Sequence, residues 1–465
     1  MTEFTKEFCA LVLAAGKGTR MKSNIPKVLQ SLLHKPLIYY PLNSLAKADI
    51  ENISVVVGYQ GEMIEKYINS SHPNIGISWQ REQLGTGHAV KLAADWWRQF
   101  KNVLIVAGDT PLITSETISS FIAYHKEKNN DCSIISFDLL DPTGYGRLVR
   151  GDNSIRIVEQ KDATEDEIAI KEVNSGVYIF KSEALLSIIN DITADNNQKE
   201  YYLPDAVSLL QSQGKIVDAI KMENFEEFLG INSPQQLSDV SLLLRDRILD
   251  QHLALGVKVV DRNSTWIGPD VLIENDVFIE PNVQLWGNTS IGTGTTVGSF
   301  SCLDNVVIGD NVTIVSHVRI INSIIGQNSS VGPFVFMREN AELMDDVHVG
   351  RFVEIKKSKV SSHSKVPHLS YIGDTEIGQK TNIGAGTITC NYDGAKKHKT
   401  NIGDNCFIGS NTILVAPVKI GDNATTAAGS TITKDVPAES LAIARSKQII
   451  IDNWYSRSNK LKGGL

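Results

Sequence analysis

Two stretches of this chain carry residue types and spacings that could do chemistry. The first is Leu13-Ala14-Ala15-Gly16-Lys17-Gly18-Thr19-Arg20-Met21, which continues an apolar run beginning at Cys9. Small residues and two glycines let backbone N–H groups approach an anion closely, and Lys17 and Arg20 add fixed positive charge. Pro26-Lys27 follows a few residues on, so a phosphate-bearing ligand is the expected occupant. The spacing is neither that of the dinucleotide fingerprint nor that of the Walker loop. A lone Gly-x-Gly also occurs in turns that bind nothing. The second stretch is Cys390-Asn391-Tyr392-Asp393-Gly394-Ala395-Lys396-Lys397-His398-Lys399, a polar and basic excursion from an otherwise regular repeat. Insertions at one corner of a repeating coil commonly build its binding face.

The elements that must hold these stretches follow two different patterns. Before about Gly230, short apolar runs at 9–14, 53–57, 103–107 and 133–137 read as buried strands. Helical patterns at 87–100 and 115–128 lie between them. Strand–helix alternation predicts a mostly parallel sheet covered on both faces. From Pro234, apolar residues at Leu237, Val240, Leu244 and Ile248 predict a connecting helix over 235–255, with Gly256 as its stop.

After Asp261 the period becomes six. Aliphatics fall at Ile267, Ile273, Ile279, Leu285, Ile291, Val297 and Leu303. The register restarts at Ile308, Ile314 and Ile320, and again at Ile402, Ile408, Leu414 and Ile420. Glycine often follows the aliphatic, as at Gly292, Gly309, Gly384, Gly403 and Gly409. This period is neither helical nor simple alternation. It predicts a triangular solenoid whose aliphatics point inward and whose glycine-bearing turns make the corners, in preference to a β-sandwich with chance spacing.

Bulk properties narrow the class. A length of 465 residues suggests two or three domains, and 42% hydrophobic with 21% charged residues is ordinary for a globular protein. A formal net charge of −8 supplies no basic field for a nucleic acid. Five scattered cysteines without a C-x-x-C pair make neither a disulfide framework nor a zinc site, so a reducing compartment fits. No secretory signal or apolar stretch of about 20 residues is present, so the chain reads as cytoplasmic, without membrane insertion.

The run from Leu13 to Met21 with Pro26-Lys27 resembles the signature of nucleoside-diphosphate-sugar pyrophosphorylases. With the hexapeptide half, nearly the whole chain resembles the bacterial bifunctional N-acetylglucosamine-1-phosphate uridyltransferase/glucosamine-1-phosphate acetyltransferase family. The shared segments include Glu82 to Ala89, Asp141 to Arg147, Lys365 to Tyr371 and Asn382 to Gly394. The resemblance implies an α/β nucleotidyltransferase (Rossmann-like) domain over 1–234, the helix over 235–255, and a left-handed parallel β-helix acetyltransferase domain with a C-terminal tail over 256–465. It also implies a homotrimer.

Specific roles come with the resemblance. Leu13, Ala14, Ala15 and Gly16 would line the nucleotide, and Lys27 would bind its phosphates. Gln80, Gly85 and Thr86 would read uracil and ribose, while Gly146, Glu159 and Asn174 would hold N-acetylglucosamine 1-phosphate. Asp109 and Asn232 would coordinate Mg2+. A carboxylate at the C-terminal edge of a parallel strand suits that role, because magnesium takes few protein oxygens beside phosphates. Ala107 stands where an aromatic is usual, which changes packing on the UTP base. In the second half His368 would be the general base. Arg338, Lys356, Tyr371, Asn382 and Asn391 would hold glucosamine 1-phosphate, and Ala385, Tyr392, Ser410, Ala428 and Arg445 would contact acetyl-CoA. Glu339-Asn340 departs from the usual Pro-Gly and puts the turn after Arg338 in question. Cys390 suggests an acyl-enzyme, but direct attack by an amine needs none. Two other readings remain: a single-function pyrophosphorylase with the solenoid as an oligomerisation scaffold, and the same chemistry on another nucleotide or amino sugar.

Overall fold

A computed structural model of the chain describes residues 7–152 and 154–462. The chain divides between Leu244 and Arg245 into two compact units. In the first, strand Phe8–Ala14 lies between Ile53–Val57 and Asn102–Ala107 and runs parallel to both. Gly76–Trp79 extends the sheet beyond Ile53–Val57. On the other side, Glu172–Lys181 is antiparallel to Asn102–Ala107 and to Cys132–Asp138, and Val217–Met222 completes the sheet. A hairpin of Arg147–Arg150 and Ile155–Val158 pairs with the antiparallel strand.

Side-chain alternation explains why the central strands are apolar throughout. Cys9, Leu11, Val103 and Ile105 enter one core, and Ala10, Val12, Leu104 and Val106 enter the core on the opposite face. Helix Ser115–Lys128 covers one face and starts at Thr114, whose hydroxyl accepts the N–H of Thr117 at 3.2 Å. The helical pattern at 87–100 is two helices, Thr86–Leu92 and Ala94–Trp97. The break at Ala93 lets the Trp97 indole N–H donate to Val90 O at 2.8 Å. The helix from Pro234 ends at Ala254, and Gly256, at φ 92°, turns the chain away.

The second unit is the solenoid. All fourteen aliphatics that mark the period of six are buried. Strands of mostly two residues stack in parallel, with one face forming an 11-stranded sheet and the other two faces sharing a 17-stranded sheet. Trp266 pairs with Gln284 and Phe278 with Thr296, so one coil takes 18 residues, three hexapeptides. Thr296 pairs with Thr313 and Cys302 with Arg319, a coil of 17, which is why the sequence register restarts at Ile308. Thr375 pairs with Thr400 and Asn382 with Phe407, 25 residues apart, so the stretch after Cys390 bulges out as a loop while both flanks stay in register.

The glycines serve stacking, which corrects their expected place at the corner. A Cβ on Gly384 would lie 2.5 Å from Ile408 O and from Ser410 N of the next coil. The left-handed corner residue comes two positions later, as at Gly294, Asn311, Gly386, Asn405 and Asn411. Among the described residues no helix is long and apolar enough to cross a membrane.

One buried histidine makes the first unit sensitive to acid. His125 is 2% exposed, with Nδ1 at 2.8 Å from Ser133 Oγ and Nε2 at 3.4 Å from Asn102 Oδ1. Burial, with Lys181 and Lys126 against the opposing Asp131, lowers its pKa to about 4. The unfolded chain takes up this proton near pH 6.5 and the folded chain only near pH 4. The folded state therefore loses stability as pH falls through that window, by about 2 kcal/mol from pH 7 to pH 5. Urea midpoints at the two pH values should show the loss in the wild type and a smaller one in His125→Gln. Equal losses in both proteins would contradict the assignment.

Candidate active sites

The parallel strands of the first unit end along one edge, where their loops enclose a cavity of about 600 Å3. Leu13, Ala14, Ala15 and Gly16 line it, with Lys17 beside them; Arg20, in the exposed turn Thr19–Met21, is not among the lining residues. Gly108 N–H donates to Leu13 O at 2.9 Å and Tyr59 N–H to Ala15 O at 3.3 Å, fixing the loop against both neighbouring strand ends. Gln80 is buried and donates to Gly85 O at 2.9 Å. Gly85 must be bare, because a Cβ there would meet Tyr201 O at 2.5 Å. Thr86 Oγ1 accepts the N–H of Leu203 at 3.0 Å and begins its helix. Ala107 lines the cavity, so no aromatic ring occupies that wall.

On the far side, an irregular register between Asn174 and Tyr178 turns Asn174 into the cavity. Its Nδ2 donates to Tyr178 Oη at 2.6 Å and its backbone N–H to Gly146 O at 2.9 Å. Glu159 lines the same wall. Burial pushes its pKa up, with Asp162, Asp205 and Glu200 adding to the effect and Arg147 opposing it.

The residues expected at a magnesium ion do converge. Lys27 Nζ pairs with Asp109 Oδ2 and donates to Asn232 Oδ1 at 3.0 Å. Ile231 N–H donates to Asp109 O at 3.0 Å, and Gln236 Oε1 accepts the N–H of Asn232 at 2.8 Å. A carboxylate and an amide oxygen thus share one cation, here the lysine ammonium, and that hard-oxygen pair suits Mg2+.

In the solenoid, register sorts the expected residues onto two faces. Arg338 pairs with Lys356, and Lys356 with Gly373, in successive coils. Lys356 is 2% exposed, and its Nζ lies 3.3 Å from Asp374 Oδ2 and 3.4 Å from Glu339 Oε2. Burial disfavours the Lys356 ammonium, and hydrogen bonds with Lys397 and Asp374, together with the Asp374 and Glu339 charges, more than offset it. Arg338 pairs with Glu339 and donates through Nε to Glu354 at 3.0 Å. Asn391 donates to Asp374 at 2.5 Å and lies 3.4 Å from Tyr371 Oη. Glu339 and Asn340, at φ 55° and 61°, make the turn without Pro-Gly, and the glutamate folds back onto both cations.

The neighbouring face carries His368, Asn382, Ala385, Ser410, Ala428 and Arg445. Val349 pairs with Val366, Lys365 with Asn382, Ile383 with Ile408, and Ile408 with Thr426. His368, Ala385, Ser410 and Ala428 each follow the inward residue of their coil by two, so they form one column. Ala385 O accepts the N–H of Asn411 at 2.7 Å, Ser410 O that of Gly429 at 2.8 Å, and Ala428 O accepts from Arg445 at 2.9 Å. His368 is exposed, and among the described residues its ring makes no hydrogen bond. Leu369, at φ 47°, is the corner between it and Tyr371. Tyr392 is exposed on the loop, its hydroxyl donating to Gly394 O at 2.6 Å.

Sequence reasoning missed Tyr178, Glu200, Leu203 and Pro204 on the cavity wall, and Asp374, Glu354 and Lys397 in the solenoid. Lys397 lies against Lys356, which holds it below the ordinary lysine range. Its place in the basic loop was the only signal; the others meet the site through tertiary packing alone.

Comparison with known proteins agrees with this arrangement. The Nucleotidyl transferase model matches residues 9–230, the GMPPB C-terminal domain residues 267–376, and the Bacterial transferase hexapeptide (six repeats) residues 399–434. The chain is 45% identical over 456 residues to Bifunctional protein GlmU of Clostridium perfringens (strain SM101 / Type A), covering 98% of this chain and 99% of that one. It is 44% identical over 457 residues to proteins of the same name from Clostridium botulinum (strain 657 / Type Ba4) and Clostridium acetobutylicum, with the same coverage. With an identity this high over nearly the full length of both partners, and with the fold of each half in agreement, the chain belongs to the bifunctional GlmU family.

Proposed function

We infer that the chain makes UDP-N-acetylglucosamine by two transfers: acetyl from acetyl-CoA to glucosamine 1-phosphate, then uridylyl from UTP to the N-acetylglucosamine 1-phosphate formed. The observation that carries the second activity is the buried Lys356–Asp374–Asn391 arrangement on the solenoid. A buried ion pair adds little stability over apolar packing, so a pure scaffold has no use for one. The reading in which the solenoid only assembles a pyrophosphorylase is disfavoured on that ground.

In the first unit, a phosphate oxygen of the sugar attacks the α-phosphorus of UTP as the bond to pyrophosphate breaks. Loop N–H groups after Ala14 and the Lys27 ammonium neutralise the phosphates, while Gln80, Gly85 and Thr86 take the base and ribose. Gly146, Glu159 and Asn174 hold the sugar on the opposite wall. Asp109 and Asn232 would hold Mg2+, which when bound supplies charge neutralisation for the triphosphate.

In the second unit, the amine of glucosamine 1-phosphate attacks the thioester carbonyl. The new C–N bond forms, the C–S bond breaks to give coenzyme A thiolate, and His368 takes the amine proton. Arg338, Lys356, Tyr371, Asn382 and Asn391 hold the amino sugar, with the two cations on its phosphate. Acetyl-CoA lies along the column of Ala385, Ser410, Ala428 and Arg445, with Tyr392 reaching in from the loop. The column leads to His368, which places the thioester beside the base.

The single chain keeps His368 and the Arg338–Lys356–Asn391 cluster on different faces. A homotrimer solves this by setting the face of one protomer against the loop of the next. The corner between the faces supports such packing. Phe300, His317, Phe334 and Phe352 stack in successive coils with ring centroids 4.9–5.2 Å apart, and the three phenylalanines are exposed. On this reading the enzyme works in a reducing compartment, the cytoplasm, which its five free cysteines suit.

Separate sites make separable defects. Asp109→Ala should suppress uridylyl transfer and leave acetyl transfer near the wild-type rate. His368→Ala should do the reverse, lowering acetyl transfer by about 10²–10⁴-fold. Acetyl transfer is measured with glucosamine 1-phosphate and acetyl-CoA, and uridylyl transfer separately with N-acetylglucosamine 1-phosphate, UTP and magnesium, each by mass spectrometry of the products. Loss of both activities from either single change in a folded protein would refute two independent sites.

A further inference from the structure

Asp374 occupies the solenoid corner beside the long loop, at φ 49°, and is 8% exposed. Its Oδ2 accepts from Asn391 Nδ2 at 2.5 Å and from Lys356 Nζ at 3.3 Å. Its backbone carbonyl accepts the N–H of Thr400 at 3.2 Å. One residue therefore holds the start of the loop, the strand to which the loop returns, and the buried ammonium of the preceding coil.

The chemistry of an amide makes this more than a brace. Asn391 has two N–H donors on Nδ2 and one carbonyl acceptor. Nδ2 is turned inward to Asp374 and towards Tyr371 Oη, so Oδ1 is the end available to a ligand. A ligand group that meets Oδ1 must donate, as an amine or a sugar hydroxyl does. Gly373 keeps the space open, because a Cβ there would lie 2.5 Å from Tyr371 Oη and 2.8 Å from Asn391 Nδ2. The same carboxylate gives Lys356 the countercharge that a buried ammonium requires.

We propose that Asp374 is a positioning residue of the acyl-transfer site, orienting the Asn391 amide so that a donor group of the amino sugar meets Oδ1 while it holds Lys356 alongside. The proposal rests on the reading of Lys356 and Asn391 as substrate residues. It implies a split between the two ends of the substrate. Removing the carboxylate frees the amide to rotate, which weakens the hold on the sugar, but it also removes an anion that competes with phosphate for Lys356.

The experiment compares Asp374→Ala, Asp374→Asn and Asn391→Ala in the full-length protein. It measures acetyl transfer, inhibition by inorganic phosphate, uridylyl transfer and thermal melting. Asp374→Ala should raise KM for glucosamine 1-phosphate by about tenfold or more, with phosphate inhibition unchanged or tighter. Asp374→Asn should keep KM for glucosamine 1-phosphate within about threefold of wild type, because its carbonyl oxygen can still accept from Asn391, while phosphate inhibition tightens because the anion beside Lys356 is gone. Uridylyl transfer should be unaffected throughout. Wild-type KM in Asp374→Ala alongside a raised KM in Asn391→Ala would overturn the proposal. So would equal weakening of sugar and phosphate in a destabilised protein, which would reduce Asp374 to a structural part. An unchanged KM in Asn391→Ala would instead overturn the reading of the site.

Discussion

In both units the chain returns repeatedly in the same direction, so backbone hydrogen bonds carry equivalent ends of successive strands to one edge. Parallel pairing aligns Leu13 with Val56 and with Ala107, and the loops that follow these strands share a single cavity wall. In the solenoid the same constraint acts once per coil. It places Arg338, Lys356 and Gly373 in one row, and His368, Ala385, Ser410 and Ala428 in another. Residues far apart in sequence become neighbours because the ladder allows no other register without turning the aliphatic row out of the core.

Charge is the second organising principle. Each site joins a lysine, an acid and an amide: Lys27 contacts both Asp109 and Asn232, and Asp374 accepts from both Lys356 and Asn391. These contacts hold the cations in place before any phosphate arrives, so little reorganisation remains when it does. The carboxylates also neutralise the lysines, so any phosphate bound there would have to outcompete them. Glu339 does the same for Arg338 and Lys356 from a more exposed position.

The period of six made the solenoid legible, since each aliphatic had one place to go and burial confirmed it. The strand and turn at Cys9 to Met21 were legible as structure, but the Gly-x-Gly alone left the role of the turn open, since such turns also occur where nothing binds. Strand Glu172–Lys181 was not legible: its first half is polar, its register is interrupted at Asn174, and it runs against its neighbours. The cavity wall from Glu200 to Pro204 left no local signal, because it meets the segment 80–88 only through tertiary contacts, such as Gly87 N–H to Tyr201 O and the His88–Tyr201 ring pair. Asp374 carried no local signal, because only the stacking of coils brings Lys356 and Asn391 to its carboxylate. The row that starts at His368 likewise needed the 25-residue coil before Ala385 and Ser410 could be aligned.

The central claim is that the acyl site is completed across chains, because one chain presents His368 and the Arg338–Lys356–Asn391 cluster on different faces. Mixing two inactive proteins tests it most directly: His368→Ala, and the double variant Asn391→Ala/Tyr392→Ala, co-expressed so that trimers form at random. In a closed ring an intact histidine then faces an intact loop at about a quarter of the junctions, so about a quarter of wild-type acetyl transfer should return. Recovery no higher than that of either parent, with mixed trimers confirmed by native mass spectrometry, would contradict the shared site.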